Sequence, residues 1–194
     1  MNKKILFAEL LFVSLVIYAF YSLYQNFEKA PLLLIIGISL LAFFYVARAF
    51  YLIVLGIAQK TDSLGLISVF GFFALAFILT GILTAVFMNS MSKPVIIIGL
   101  VSGVGCLLVI SSRRNKYMGT DQWGKANAML LRIVFFTMLA FAILRTSGVK
   151  FYKMFGPLKN DQQAIELLED CMIRKSSCEK FFEYQHKTVG ERWN

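Results

Sequence analysis

Apolar residues in this chain fall in five long, nearly unbroken runs divided by short polar links, over residues 5–24, 31–58, 64–88, 94–111 and 128–144. A bilayer core about 30 Å thick calls for about 20 apolar residues at a helical rise of about 1.5 Å, so each run is long enough, or nearly so, to cross it. The pattern predicts an all-α fold, a polytopic transmembrane helical bundle of five spans. A different pattern begins after Gly156 and Pro157. Ala164, Ile165, Leu168, Cys171 and Met172 share one face of a helix that Asn160 or Asp161 caps. Ser176 and Glu179 then stand at capping-box spacing before Phe181, Phe182 and Tyr184. The expected organisation is a transmembrane helical domain over 1–147 and a helical tail over 148–194, the latter a small extramembrane hairpin closed at Ser176 and Ser177.

Local chemistry fits these boundaries. Pro31 and Pro94 open the second and fourth runs, where the absent N–H has no intrahelical acceptor to lose. Thr120 or Asp121 is placed to cap the fifth helix, with Tyr117 and Trp123 at interfacial depth. Gly99 and Gly103, continued by Gly105 and Cys106, and Gly81 with Ala85 form small-xxx-small pairs. These mark helix packing faces, or alternatively a self-association motif. The phenylalanines at 43, 44, 72, 73, 135 and 136 read as filler between helices or toward lipid.

Composition excludes a soluble reading: 58% of the 194 residues are hydrophobic, more apolar surface than a soluble domain of this size covers. The net charge of +9 does not point to nucleic acid, because the basic residues of the first 144 positions mostly flank the spans and the tail is nearly balanced. Lys3 and Lys4 before an apolar run resemble a signal peptide, but the run is long and no pair of small residues offers a cleavage spacing. The first run is therefore expected to stay as a span. With the N-terminus in the cytoplasm, Lys3, Lys4, Lys60, Arg113, Arg114, Lys116 and Lys125 lie on that side and Lys29 and Lys93 opposite. Five spans then export the tail, against the vote of Arg145, Lys150 and Lys153. The expected location is an integral, bacterial inner membrane with the N-terminus cytoplasmic and the C-terminus extracytoplasmic.

Three ionisable residues fall inside the runs: Glu9, Arg48 and Arg132. A charge at the bilayer centre costs roughly 2.5–3.5 kcal/mol, so each asks for a partner or an escape to the interface. The spacing places all three in the cytoplasmic third, with Glu9 and Arg132 about a turn inside their helices. Three readings are open: a network in which Glu9 pairs with Arg48, Arg132 or both, independent snorkelling, and a site for an anionic lipid or phosphate.

In the tail, Cys171 and Cys178 would face each other across the hairpin, whereas in one continuous helix their Cα atoms would stand about 10 Å apart, beyond the roughly 7 Å that a disulfide permits. A structural disulfide is expected. A thiol oxidoreductase would need a C-x-x-C or a second pair, and Cys106 lies inside a span. A metal site from the two cysteines and His186 lacks a fourth ligand.

No catalytic residues, cofactor-binding residues or metal ligands are assigned, since no paired acids, histidine cluster or nucleophile with its base occurs in the spans. A transporter is disfavoured by the absence of internal proline, Asp, Asn and His from the spans. Only hydroxyls such as Ser14, Ser39, Thr80, Thr84, Ser102 and Thr137 remain. By elimination the sequence favours an accessory or assembly subunit that packs against other membrane protein subunits, or against copies of itself in the bilayer, with the tail as docking element. The alternatives are an oligomeric small-solute or lipid transporter and a membrane thiol-disulfide enzyme.

Overall fold

A computed structural model describes residues 3–25, 27, 29–59, 63–87, 92–113, 115, 118, 120, 122–146, 148–174 and 178–193. Among the described residues five long helices come first: α1 (Lys3–Tyr24), α2 (Ala30–Gln59), α3 (Ser63–Val86), α4 (Ser92–Ser112) and α5 (Gln122–Arg145). Three short ones complete the chain, α6 (Gly148–Phe155), α7 (Gln162–Arg174) and α8 (Cys178–Trp193). Each of the first five holds a segment long and apolar enough to cross a membrane: Ile5–Tyr24, Ala30–Leu55, Gly65–Val86, Ser92–Ser112 and Trp123–Arg145. The chain is an all-helical polytopic membrane protein with small helices at its C-terminal end. The expected interfacial Tyr117, the cap Asp121, and Ser176 with Ser177 lie outside the described residues.

The fifth helix begins earlier than its apolar run, at Gln122 instead of Ala128. Lys125 and Asn127 interrupt the hydropathy but not the backbone ladder, and Trp123 and Ala126 still pack on the core. This moves Arg132 ten residues, roughly 15 Å, into its helix. The single-turn depth expected for it is corrected accordingly. The expected elements do not include the short helix α6, whose eight residues follow a span directly, although Ser147 precedes it and Gly156 with Pro157 follows it in the sequence, as helix boundary residues do.

The central element is α3. Within the bundle 56% of its span is buried, while no other span exceeds 39%. It packs against α2, α4 and α5; α1 rests on α2, and α5 also touches α4. The inward faces keep to helical spacing: Val16, Ala19 and Leu23 on α1; Leu34, Ile38, Leu41, Tyr45 and Ala49 on α2; Ala126, Met129, Ile133, Phe136 and Ala140 on α5. Phe43, Phe70 and Phe135 point outward, whereas Phe72 and Phe136 pack between helices.

Glycines set the closest approach in the bundle. A Cβ on Gly81 would come within 2.9 Å of the Ile96 backbone nitrogen, and one on Gly99 within 2.8 Å of the Ile78 nitrogen. The α3 and α4 backbones thus meet at two reciprocal points. Ala85 is buried beside them, and Gly103 faces Thr137 and Ile133 of α5. Gly105 looks into open space, so the packing face continues through buried Cys106 and not through Gly105.

Alanine at Gly81 or Gly99 should therefore destabilise by about 1–3 kcal/mol through overpacking, because backbone must move. Thermal unfolding in detergent should rank Gly99→Ala and Gly81→Ala lowest, Gly103→Ala between, and Gly105→Ala level with the unmodified chain.

Candidate functional site: a buried charge cluster and a clamped tail

The same helical spacing that builds the core carries polar groups into it. Glu9 precedes Val16 and Leu23 by seven and fourteen residues on the inward face of α1, and it is buried. Tyr45 lies on the inward face of α2 and is fully buried. Arg132 flanks Ile133 on α5, and Arg48 stands one turn beyond Tyr45. Two of the three expected intramembrane charges meet directly. Arg132 donates from Nε to Glu9 Oε1, and from Nη2 to Glu9 Oε2 at 2.6 Å. The planar fork thereby grips both carboxylate oxygens. Tyr45 adds its hydroxyl to Glu9 Oε1 at 3.1 Å, a partner the sequence did not announce.

Aromatic rings enclose this pair. Tyr45 stacks on Phe72 of α3 at 5.8 Å and meets Phe136 of α5 edge-on at 6.3 Å. Burial of Glu9 and most of Arg132 lowers the local dielectric, which strengthens the ion pair and raises the cost of breaking it. α1 and α5 do not pack side by side. Their tie is made by long side chains reaching across, and these are the two spans with the smallest buried share, 22% each.

Arg48 takes no part in that grip. Its guanidinium lies over the Phe72 ring, 5.1 Å from the centroid. Its Nη1 is buried without a hydrogen-bond partner.

At the other end of the bundle the tail closes onto the spans. α6 touches α1, α3 and α7, and its Phe151 joins the membrane core while Tyr152 joins a second, smaller core with Leu158, Ala164, Leu168, Phe181 and Val189. Burial pushes the Tyr152 phenol well above its ordinary value, so it stays neutral. The turn after α6 requires glycine at 156, because a Cβ there would lie 2.6 Å from the Tyr152 ring. Past the turn, Lys159 donates to the carbonyls of Leu23 at 2.6 Å, Tyr24 at 2.9 Å and Met154 at 3.2 Å. The ammonium caps α1, whose last carbonyls have no partner within the helix and carry its negative dipole end. Desolvation holds the Lys159 pKa below the usual lysine range.

The hairpin itself is antiparallel. Asp161 caps α7 through Oδ1, which accepts from the Ala164 amide at 3.1 Å, and its Oδ2 accepts from the Tyr184 hydroxyl at 3.0 Å. Cys171 and Cys178 are disulfide-bonded, with Cα atoms 4.4 Å apart. Closing so short a loop contributes about 2–3 kcal/mol to a unit with little core of its own. Lys153 and Glu169 pair at 2.7 Å, but both are exposed and the pair adds little.

Between the hairpin and the span ends lies a cavity of about 360 Å³, within the range that small ligands or anchoring side chains fill. Ile96, Ile143, Leu144, Leu168, Phe181 and Phe182 are among its apolar walls, with Lys93 its charged residue. Both cysteines border it. Cys106 does not: its thiol faces the Ile67 carbonyl at 3.8 Å, near the opposite end of the bundle. No second thiol stands beside the disulfide among the described residues, and His186 is exposed on α8. Of the hydroxyls in the spans, Thr80 and Thr84 bond to carbonyls one turn back in their own helix, at 2.9 and 3.0 Å, and so line no polar path.

Replacing Glu9 with Gln should lower stability in detergent by about 3–5 kcal/mol, since the Arg132 charge is left buried without its partner. Tyr45→Phe should cost about 1 kcal/mol. Thermal unfolding of the single variants, and of Glu9→Gln combined with Arg132→Met, checks this. The double variant should lose less than the two singles together, whereas an unchanged Glu9→Gln variant would return the charges to independent snorkelling.

Comparison with family models, with curated proteins and with solved structures gives no significant match, so the reading of these sites rests on their geometry.

Proposed function

We propose that this polytopic protein is an accessory or assembly subunit of a membrane complex, with the hairpin of α7 and α8 as its docking element for another integral membrane protein. The observation that carries this reading is the clamped tail. Lys159 ties it to α1, Phe151 roots it in the bundle core, and the disulfide braces the hairpin. A tail held this firmly has lost the conformational freedom that binding would otherwise remove, which favours a docking surface. It leaves Met172 and Phe182 exposed at the mouth of the apolar cavity. Aromatic and methionine side chains at a recess are the residue types that anchor partners.

Support for the subunit reading also comes from within the membrane. The one intramembrane carboxylate is already held by Arg132 and Tyr45. A carboxylate so engaged is a poor relay for a transported ion. The proposed setting is a bacterial inner membrane with the N-terminus cytoplasmic and the tail outside, where the disulfide forms in an oxidising compartment.

Two measurements test the proposal. A membrane-impermeant thiol reagent applied to intact cells should label Cys171 and Cys178 only after reduction, with no signal from a variant lacking both. Labelling that requires cell lysis would place the tail in the cytoplasm. A photoreactive residue at position 182 should give one discrete adduct with a different membrane protein, whereas one at Glu166, on the hairpin but away from the cavity, should give none. An adduct of twice the chain's own mass would assign the surface to self-association and favour oligomeric transport. Absence of any adduct at 182 would sink the docking reading.

A further inference from the structure

The charge cluster is unbalanced. Glu9 supplies one negative charge, and Arg132 and Arg48 supply two positive ones, within a single low-dielectric region walled by Tyr45, Phe72 and Phe136. Arg132 holds both carboxylate oxygens and Tyr45 shares one of them, so Glu9 is committed elsewhere. Arg48 makes no ion pair or hydrogen bond to Glu9 or Tyr45, and its guanidinium rests on the Phe72 ring instead. Its Nη1 is enclosed without an acceptor, although the residue as a whole is only half-buried. An arginine carries five donors in a rigid fork and does not deprotonate. A buried donor without an acceptor and an uncompensated charge are both costly, and the Phe72 face offsets only part of that cost.

We propose that Arg48 binds a phosphate-class oxyanion that enters the membrane domain beside the Glu9–Arg132 pair and neutralises the excess cation. The fork geometry suits two oxygens of a tetrahedral oxyanion. Phe72 holds the guanidinium plane from one side, and Arg132 adds a second positive field close by. Glu9 opposes the anion, but its charge is largely answered by Arg132. Arg48 keeps part of its surface exposed, and an anion approaches it from that side. Two sources share this chemistry: the phosphodiester of an anionic phospholipid, and free inorganic phosphate. The site is independent of the tail and of the docking proposal.

The test uses the full chain and thermal unfolding. In detergent, inorganic phosphate is compared with chloride at equal ionic strength. In vesicles, phosphatidylcholine alone is compared with phosphatidylcholine mixed with phosphatidylglycerol. A stabilising rise of about 5 °C at saturation is expected for one ligand. A rise with phosphate in detergent identifies the free ion, and a rise confined to phosphatidylglycerol identifies the lipid headgroup. Arg48→Met should abolish the rise and Arg48→Lys should keep part of it. Phe72→Leu, which keeps every charge, should weaken the rise and serves if Arg48→Met does not fold. An unmodified chain that melts at one temperature in all media, or an Arg48→Met variant that keeps the full rise, would overturn the site.

Discussion

The structure depends on one constraint: inside a bilayer a polar group finds its partner in the protein or not at all. Glu9 obeys it. Its carboxylate is buried on the inward face of α1 and is gripped by Arg132 from α5 and by Tyr45 from α2. In water such a pair would add little; among Tyr45, Phe72 and Phe136 it cannot be replaced by solvent, so it fixes which helices stand together. The helices it joins are those that apolar packing secures least. α1 and α5 bury the smallest shares of their spans, and their backbones do not pack against each other.

The same logic holds at the far end of α1. Its terminal carbonyls would be left open where the helix stops, and Lys159 from the tail fills them. α1 is thus held at both ends by polar contacts with distant segments of the chain, while α3 and α4 are held by shape. Gly81 against Ile96 and Gly99 against Ile78 bring those two backbones together without any charge. The bundle has a tightly packed centre and outer helices pinned by a few strong, directional contacts. The proposed functional surfaces lie at the pins: the unbalanced charge at one end, and the tail with its apolar recess at the other.

How much of this is legible in the sequence depends on how local each feature is. Spans are read from hydropathy because lipid imposes a length and a composition on every crossing. The packing glycines and the tail helices are read from spacing within a single helix. Other features resist such reading. The start of α5 at Gln122 is missed by hydropathy, because Lys125 and Asn127 end an apolar run but not a helix, and is read only from the cap position at Thr120 or Asp121. Gly105 belongs to the same small-residue run as Gly103, but two residues turn it to the far side of α4, where it faces open space. The roles of Tyr45 and Lys159 give no sequence signal, since a tyrosine in an apolar run and a lysine after a turn are both commonplace.

By itself, then, the sequence determined the class of protein, the number and approximate extent of the membrane helices, the presence of three charges too costly to ignore, and two cysteines at hairpin spacing. Tertiary structure alone decided that Glu9 is held by Arg132 and Tyr45 while Arg48 rests on Phe72, and that the tail is clamped to α1 by Lys159. The reason is physical. Hydropathy and helical period act over neighbouring residues, whereas the partner of a buried charge depends on which helices stand beside it and at what depth and rotation, which the packing of the whole bundle sets.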